Sequence, residues 1–157
     1  MRPVHIPVTG PGPLRVLRTG IAASLVLSAV IHVQLAPGYQ QAAPGSNGQG
    51  TLFLIQAGAA ILAAVFVLLK NTRTAFAAAA AVGFSSLAAV ILYRYVQIPA
   101  IGPLPSMYEP VWYAAKVITA VAEATAGGLA VAGLALLQRK TRPGPWIQPR
   151  GWHHSAA

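Results

Sequence analysis

The chain has 157 residues, of which 55% are hydrophobic and only 8% charged, against about 25% charged in a typical soluble domain. Its formal net charge is +9, from 11 Lys and Arg against two acids, Glu109 and Glu123, and it contains no cysteine. A soluble fold of this size cannot hide so much apolar surface, the missing cysteine excludes disulfides, thiolate metal sites and Cys nucleophiles, and the basic residues lie between and beyond apolar runs rather than in a nucleic-acid-binding patch.

In chain order, residues 1–18 form a basic tail with Arg2, Arg15 and Arg18, and residues 1–14 hold four prolines; this composition predicts disorder. Four apolar runs follow, each near the ~20 residues that a helix needs to cross a bilayer. They are Thr19 to Ala36, Thr51 to Leu69, Thr74 to Val96 and Val111 to Leu137. Between them lie segments punctuated by Pro37, Gly38, Pro44 and Gly45, and by Pro99, Gly102, Pro103, Pro105 and Pro110, residues that interrupt helices through a missing donor or a high ordering entropy. Residues 138–157 form a second basic tail, broken by prolines and expected to be disordered. The runs show no alternation of apolar and polar residues, so helices rather than a β-barrel are predicted. A cleaved signal peptide fits poorly, because candidate ends at Ala36 and Ala43 put Gln34 and Gln41 where a small residue is wanted.

Orientation follows from Lys and Arg. Nine lie on one side: Arg2, Arg15, Arg18, Lys70, Arg73, Arg139, Lys140, Arg142 and Arg150; the opposite loops, 37–50 and 97–110, contain none. The positive side is cytoplasmic. The expected fold is therefore all-α: a polytopic membrane protein, an antiparallel four-transmembrane-helix bundle in the cell membrane with both termini cytoplasmic. Trp112, Tyr113, Tyr108 and Tyr95 read as an aromatic belt at the outer interface.

Helical spacing sets the polar residues on stripes. Ser24, Ser28 and His32 share a face of the first helix; Gln56 tops Ala60, Ala63 and Ala64 on the second; Ser86, Val90 and Tyr93 align on the third; Lys116, Thr119, Ala120, Glu123 and Gly127 align on the fourth. At about 1.5 Å per residue, His32, Gln56, Tyr93 and Lys116 fall at similar depth below the outer surface, and Glu123 lies deeper, roughly 20 Å down. Together these five form a candidate polar pocket opening outward. A carboxylate at mid-bilayer is costly unless protonated, paired or hydrated. The plainer alternatives are hydrogen-bonded packing for His32, a snorkelling anchor for Lys116, and helix–helix contacts for Gln56 and the serines. Arg94 and Glu109, near the same interface, are expected to form a surface ion pair of small energetic weight.

Several chemistries lack their residues. Only His32 lies inside a predicted helix, so bis-histidine haem ligation by this chain alone is excluded; there is no Asp, hence no Ser-His-Asp triad; and Gly10-Pro-Gly12 has neither the preceding strand nor the third glycine of a dinucleotide loop. No metal site, cofactor or enzymatic activity is expected.

The stretches His32-Val-Gln-Leu35 with Gly38-Tyr39, then Gly50-Thr-Leu-Phe53-Leu-Ile-Gln56, and Tyr108-Glu109-Pro110-Val111-Trp112 followed by Glu123 resemble a pattern of small four-helix membrane proteins of actinobacteria, a group with no established activity. The resemblance implies the same topology and singles out His32, Gln56, Glu109 and Glu123. Two readings of function follow: a structural or accessory subunit of a membrane assembly, or a small binder or transporter of a proton, anion or lipophilic molecule through the outward pocket. The expected partners are the lipid bilayer and other membrane subunits, not nucleic acid.

Overall fold

A computed structural model describes residues 12–42, 48–99 and 106–141. Residues 1–11 and 142–157 of the tails expected to be disordered lie outside these residues, as do residues 43–47 and 100–105 of the outer loops, whereas residues 13–18 and 138–141 of the tails are helical. The described residues form four helices: α1 (Pro13–Ala42), α2 (Gln49–Leu69), α3 (Arg73–Tyr95) and α4 (Ala114–Thr141). All four are long and apolar enough to cross a membrane.

The helix bounds depart from the expected ones at several ends. α1 starts six residues earlier than Thr19 and continues six beyond Ala36, through Pro37. The proline removes one donor, which leaves the Val33 carbonyl without its usual partner; both residues are exposed. Contacts past the proline offset the loss. Tyr39 hydrogen-bonds Glu109, and Gly50 at the start of α2 lies directly on Gln40 and the Ala36 carbonyl, with no room for a Cβ. α4 begins at Ala114 rather than Val111 and runs to Thr141. Thr72 caps α3, its hydroxyl accepting from Ala75 N at 3.3 Å, which satisfies one of the free donors of the first turn.

α1 packs extensively on both α2 and α4, α4 also packs on α3, and the α2–α3 contact is thinner than these. At one end Arg18 of α1 reaches the last turn of α2, donating from Nε to the Val67 carbonyl at 2.7 Å and from its other nitrogen to Leu68. A cation there answers the unpaired carbonyls and negative dipole of the helix C-terminus. We call this the basic end, since Lys70 and Arg73 adjoin it. At the other end the chain after α3 doubles back: Ile98 bridges Met107, Ser106 Oγ donates to the Ile98 carbonyl at 3.1 Å, and Glu109 N donates to the Tyr93 carbonyl at 3.0 Å.

The core is built mainly of small residues. Ile21, Leu25 and Ala29 of α1 meet Ala60, Ala64 and Val67 of α2, with Phe76 and Ala79 of α3 and Ala126 and Ala130 of α4 completing the cluster. α3 and α4 approach closely at Gly83, where an added Cβ would lie 2.9 Å from the Glu123 carbonyl and 3.1 Å from Gly127 N; small residues at such crossings allow close backbone approach. The distribution of polarity inverts that of a soluble protein. Ser28 and Glu123 are among the fully buried side chains, while Leu62 and Leu69 are each 72% exposed and Ile55 63%.

Candidate functional site

Three helices, α1, α3 and α4, supply one polar cluster because each brings a polar residue to its inner face at the same level, and α2 adds an aromatic ring. Glu123 of α4 is 0% exposed. Its Oε1 accepts from Ser28 Oγ of α1 at 2.9 Å and from Ser86 Oγ of α3. His32, one turn beyond Ser28, places Nε2 3.9 Å from the same Oε1. The opposite ring nitrogen, Nδ1, lies 2.9 Å from the Ser28 carbonyl and 3.3 Å from Ser28 Oγ. An edge-on contact with Phe53 of α2, 5.3 Å between centroids, holds the ring in place.

The hydrogen inventory fixes the histidine tautomer. Ser28 has a single hydroxyl proton, and it goes to Glu123; the serine can therefore only accept from His32. Nδ1 carries a hydrogen and gives it to the Ser28 carbonyl, so in the neutral ring Nε2, facing Glu123, holds the lone pair. Glu123 Oε2 is buried with no hydrogen-bond partner among the described residues, and so is Thr119 Oγ1, one turn away on the same face of α4.

Above this cluster, toward the end opposite the basic one, lies a cavity of about 130 Å³. Its polar lining comes from His32, Tyr39, Gln49, Tyr93, Glu109, Tyr113, Lys116 and Thr119, and its apolar lining from Leu35, Leu52, Phe53, Val90 and Met107. Lys116 is buried, and its Nζ donates to the Glu109 carbonyl at 2.6 Å and more weakly to the Val111 carbonyl at 3.4 Å. The ammonium also sits 5.7 Å and 5.9 Å from the ring centroids of Trp112 and Tyr113, within cation–π range. Tyr39 donates to Glu109 Oε2, and its hydroxyl lies 3.2 Å from that of Tyr113.

Of the five residues expected to share a pocket, His32, Tyr93 and Lys116 line the cavity, whereas Glu123 sits beneath it and reaches it only through His32. Gln56 is outside the lining, its Nε2 buried and unpartnered among the described residues. Arg94 and Glu109, expected to form an ion pair, do not bring guanidinium and carboxylate within 4 Å of each other among the described residues. Tyr39 engages the Glu109 carboxylate instead, and Arg94 lies over the rings of Tyr95 and Trp112 at 5.0 Å and 6.0 Å. Tyr39 and Phe53 fall within the stretches that carry the resemblance but are not among the site residues the sequence singles out. Pro37-Gly38 places Tyr39 in a loop by local rules, although it lies seven residues after His32, on the same helical face; Phe53 is one apolar residue among many in its run. Tyr113, read as an interface anchor, and Thr119, part of the α4 stripe, also face the cavity. Among the described residues no three His, Asp or Glu gather to hold a metal ion.

Comparison with known proteins gives no match: no family model fits the chain, and neither a curated protein nor a solved structure resembles it significantly.

Proposed function

We propose that this chain is an integral protein of the cell membrane, its four helices crossing antiparallel with both termini cytoplasmic, and that it binds a small lipophilic anion in the cavity at the outer end. The inverted polarity supports the membrane setting, since lipid is the solvent that tolerates Leu62 and Leu69 outside and calls for Glu123 and Ser28 inside. The basic residues of the tails and of the α2–α3 link support the orientation. An accessory subunit would be expected to present Glu123 and Gly127 to a partner helix on its outer surface; both are buried within the bundle, which favours a binder.

One observation carries the choice of ligand. Lys116 is a buried ammonium at the cavity wall whose bonded partners are two backbone carbonyls, not a carboxylate. An ammonium has three donors, so one remains for a ligand, and its charge is not cancelled by direct pairing. The aromatic and aliphatic lining suits an apolar body of modest size attached to that anionic head.

Calorimetric titration of the detergent-solubilised chain with benzoate and with neutral benzyl alcohol tests this. The carboxylate is expected to bind more tightly, and Lys116→Met to weaken it by about 1.5–3 kcal/mol, the scale of a hydrogen bond to a charged group, while leaving the alcohol unchanged. Equal binding of the two probes, or an unchanged benzoate affinity in Lys116→Met, overturns the reading.

A further inference from the structure

We propose that Glu123 and His32 form a proton-binding site that exchanges with the outer cavity, Glu123 holding the proton on Oε2 and His32 relaying it through Nε2.

The argument starts from what each oxygen already does. Oε1 accepts two hydroxyl hydrogens, from Ser28 and Ser86, so it acts as the carbonyl-like oxygen of the group. Oε2 accepts nothing among the described residues although it is completely buried. A buried, unpartnered carboxylate oxygen is very costly, whereas a hydroxyl oxygen in that position has less acceptor capacity to satisfy. The asymmetry assigns the proton to Oε2.

The route out is equally constrained. Among the described residues, His32 alone both lines the cavity and approaches the Glu123 carboxyl within 4 Å through an ionisable group. Its Nδ1 is committed to the Ser28 carbonyl, so Nε2 is the nitrogen free to accept. Thr119, whose unpartnered hydroxyl also borders the cavity, supplies a further polar atom at the cavity floor. The surroundings hold few competing charges. α2 contains no titratable side chain; α3 offers Tyr93 and α4 offers Lys116, both higher up at the cavity, where Tyr39, Glu109 and Tyr113 also lie.

Nε2 stands 3.9 Å from Oε1, too far for direct transfer, so one water carries the step: the O–H bond at Oε2 breaks as its proton passes to the water, and one of the water's own O–H bonds breaks as that proton forms the N–H bond at Nε2. This transfer leaves a carboxylate still held by both serine hydroxyls, and an imidazolium whose Nδ1–H remains on the Ser28 carbonyl. The imidazolium then gives its proton to water in the cavity, and the reverse sequence reloads the acid. No electrons change hands.

Infrared spectroscopy of the ligand-free chain in phospholipid nanodiscs tests the assignment. The wild type is expected to show a protonated carboxyl stretch that Glu123→Gln lacks. Ser86→Ala should move that band to higher frequency by freeing the carbonyl-like oxygen, which identifies its owner even if Glu123→Gln misfolds. On transfer to D2O the band should shift, and His32→Gln should slow that shift about a hundredfold, the low end of what a positioned proton-transfer group contributes. A band that persists in Glu123→Gln, no band in the wild type, a band unmoved in Ser86→Ala, or wild-type exchange in His32→Gln each overturns the proposal. Because no ligand is present, failure here leaves the cavity reading standing, and failure of benzoate binding leaves this one.

Discussion

The same four helices build two unlike ends. At the basic end the interior is filled: Phe76, Ala79, Ala63, Val67 and Ala130 are all buried, and Arg18 closes the last turn of α2 from outside. At the other end the helices enclose a cavity, and among the side chains facing it are three tyrosines, a lysine, a histidine and a glutamate. The difference comes from side-chain size at helical spacing. Alanine and glycine at the crossings bring backbones together, while Tyr39, Phe53, Tyr93 and Tyr113 hold them apart and cannot fill the resulting volume. Glu123 marks the boundary, with Gly83 packed on its backbone and His32 facing its carboxyl.

The largest expected effect is all-or-none and concerns which end faces outward. The chain has no cysteine, so single cysteines report cleanly. Ser106→Cys is expected to react with a membrane-impermeant maleimide on intact cells, and Asn71→Cys only after lysis; the opposite pattern would reverse the orientation and put the cavity on the cytoplasmic face.

Packing gives the next effects. Phe76→Ala at the filled end removes a fully buried ring and is expected to cost about 3–5 kcal/mol. Phe53→Ala at the hollow end removes a half-buried ring whose edge contacts to His32 and Tyr39 are each worth about 0.5–1.5 kcal/mol, so its cost should be clearly smaller. Equal losses in chemical unfolding would show that the two ends do not differ in packing. At the boundary, Gly83→Ala forces a Cβ against the Glu123 backbone and is expected to cost about 1–3 kcal/mol. Gly58→Ala, where a Cβ meets nothing within 4 Å, should be neutral or stabilising by up to about 1 kcal/mol.

The two ends also differed in how far the sequence could be read. The four apolar helices were legible because length and composition alone decide whether a helix can span a bilayer. So was the alignment of Lys116, Thr119 and Glu123, because a 3.6-residue period needs no tertiary knowledge. Ends and partners were not. Pro37 signals a stop by local rules, yet α1 runs on because Gly50 and Glu109, distant in sequence, hold its last turns. Arg94 and Glu109 look like an ion pair by charge and position; the Tyr39 hydroxyl, brought in by that same extension of α1, takes the carboxylate instead. Arg18 counts toward topology in the sequence, whereas its role in capping α2 depends on which helix it meets.

That extension yields the smallest and most local effect. Tyr39 has one hydroxyl proton and gives it to Glu109 Oε2, so at its 3.2 Å contact with Tyr113 it must accept. Tyr39→Phe therefore removes two bonds from the end of α1, and Tyr113→Phe only one. Glu109 is half-buried and regains water when Tyr39 is lost, so the net cost should stay near 1 kcal/mol. The loss falls where Pro37 has already weakened the helix. Amide hydrogen exchange at Gly38 to Gln41 should accelerate about fivefold in Tyr39→Phe, the equivalent of that free energy under local opening, and less in Tyr113→Phe, with no change in α1 before Pro37. Acceleration spread evenly along α1 would mean that the helix opens as one unit, and that Glu109 does not secure its final turns.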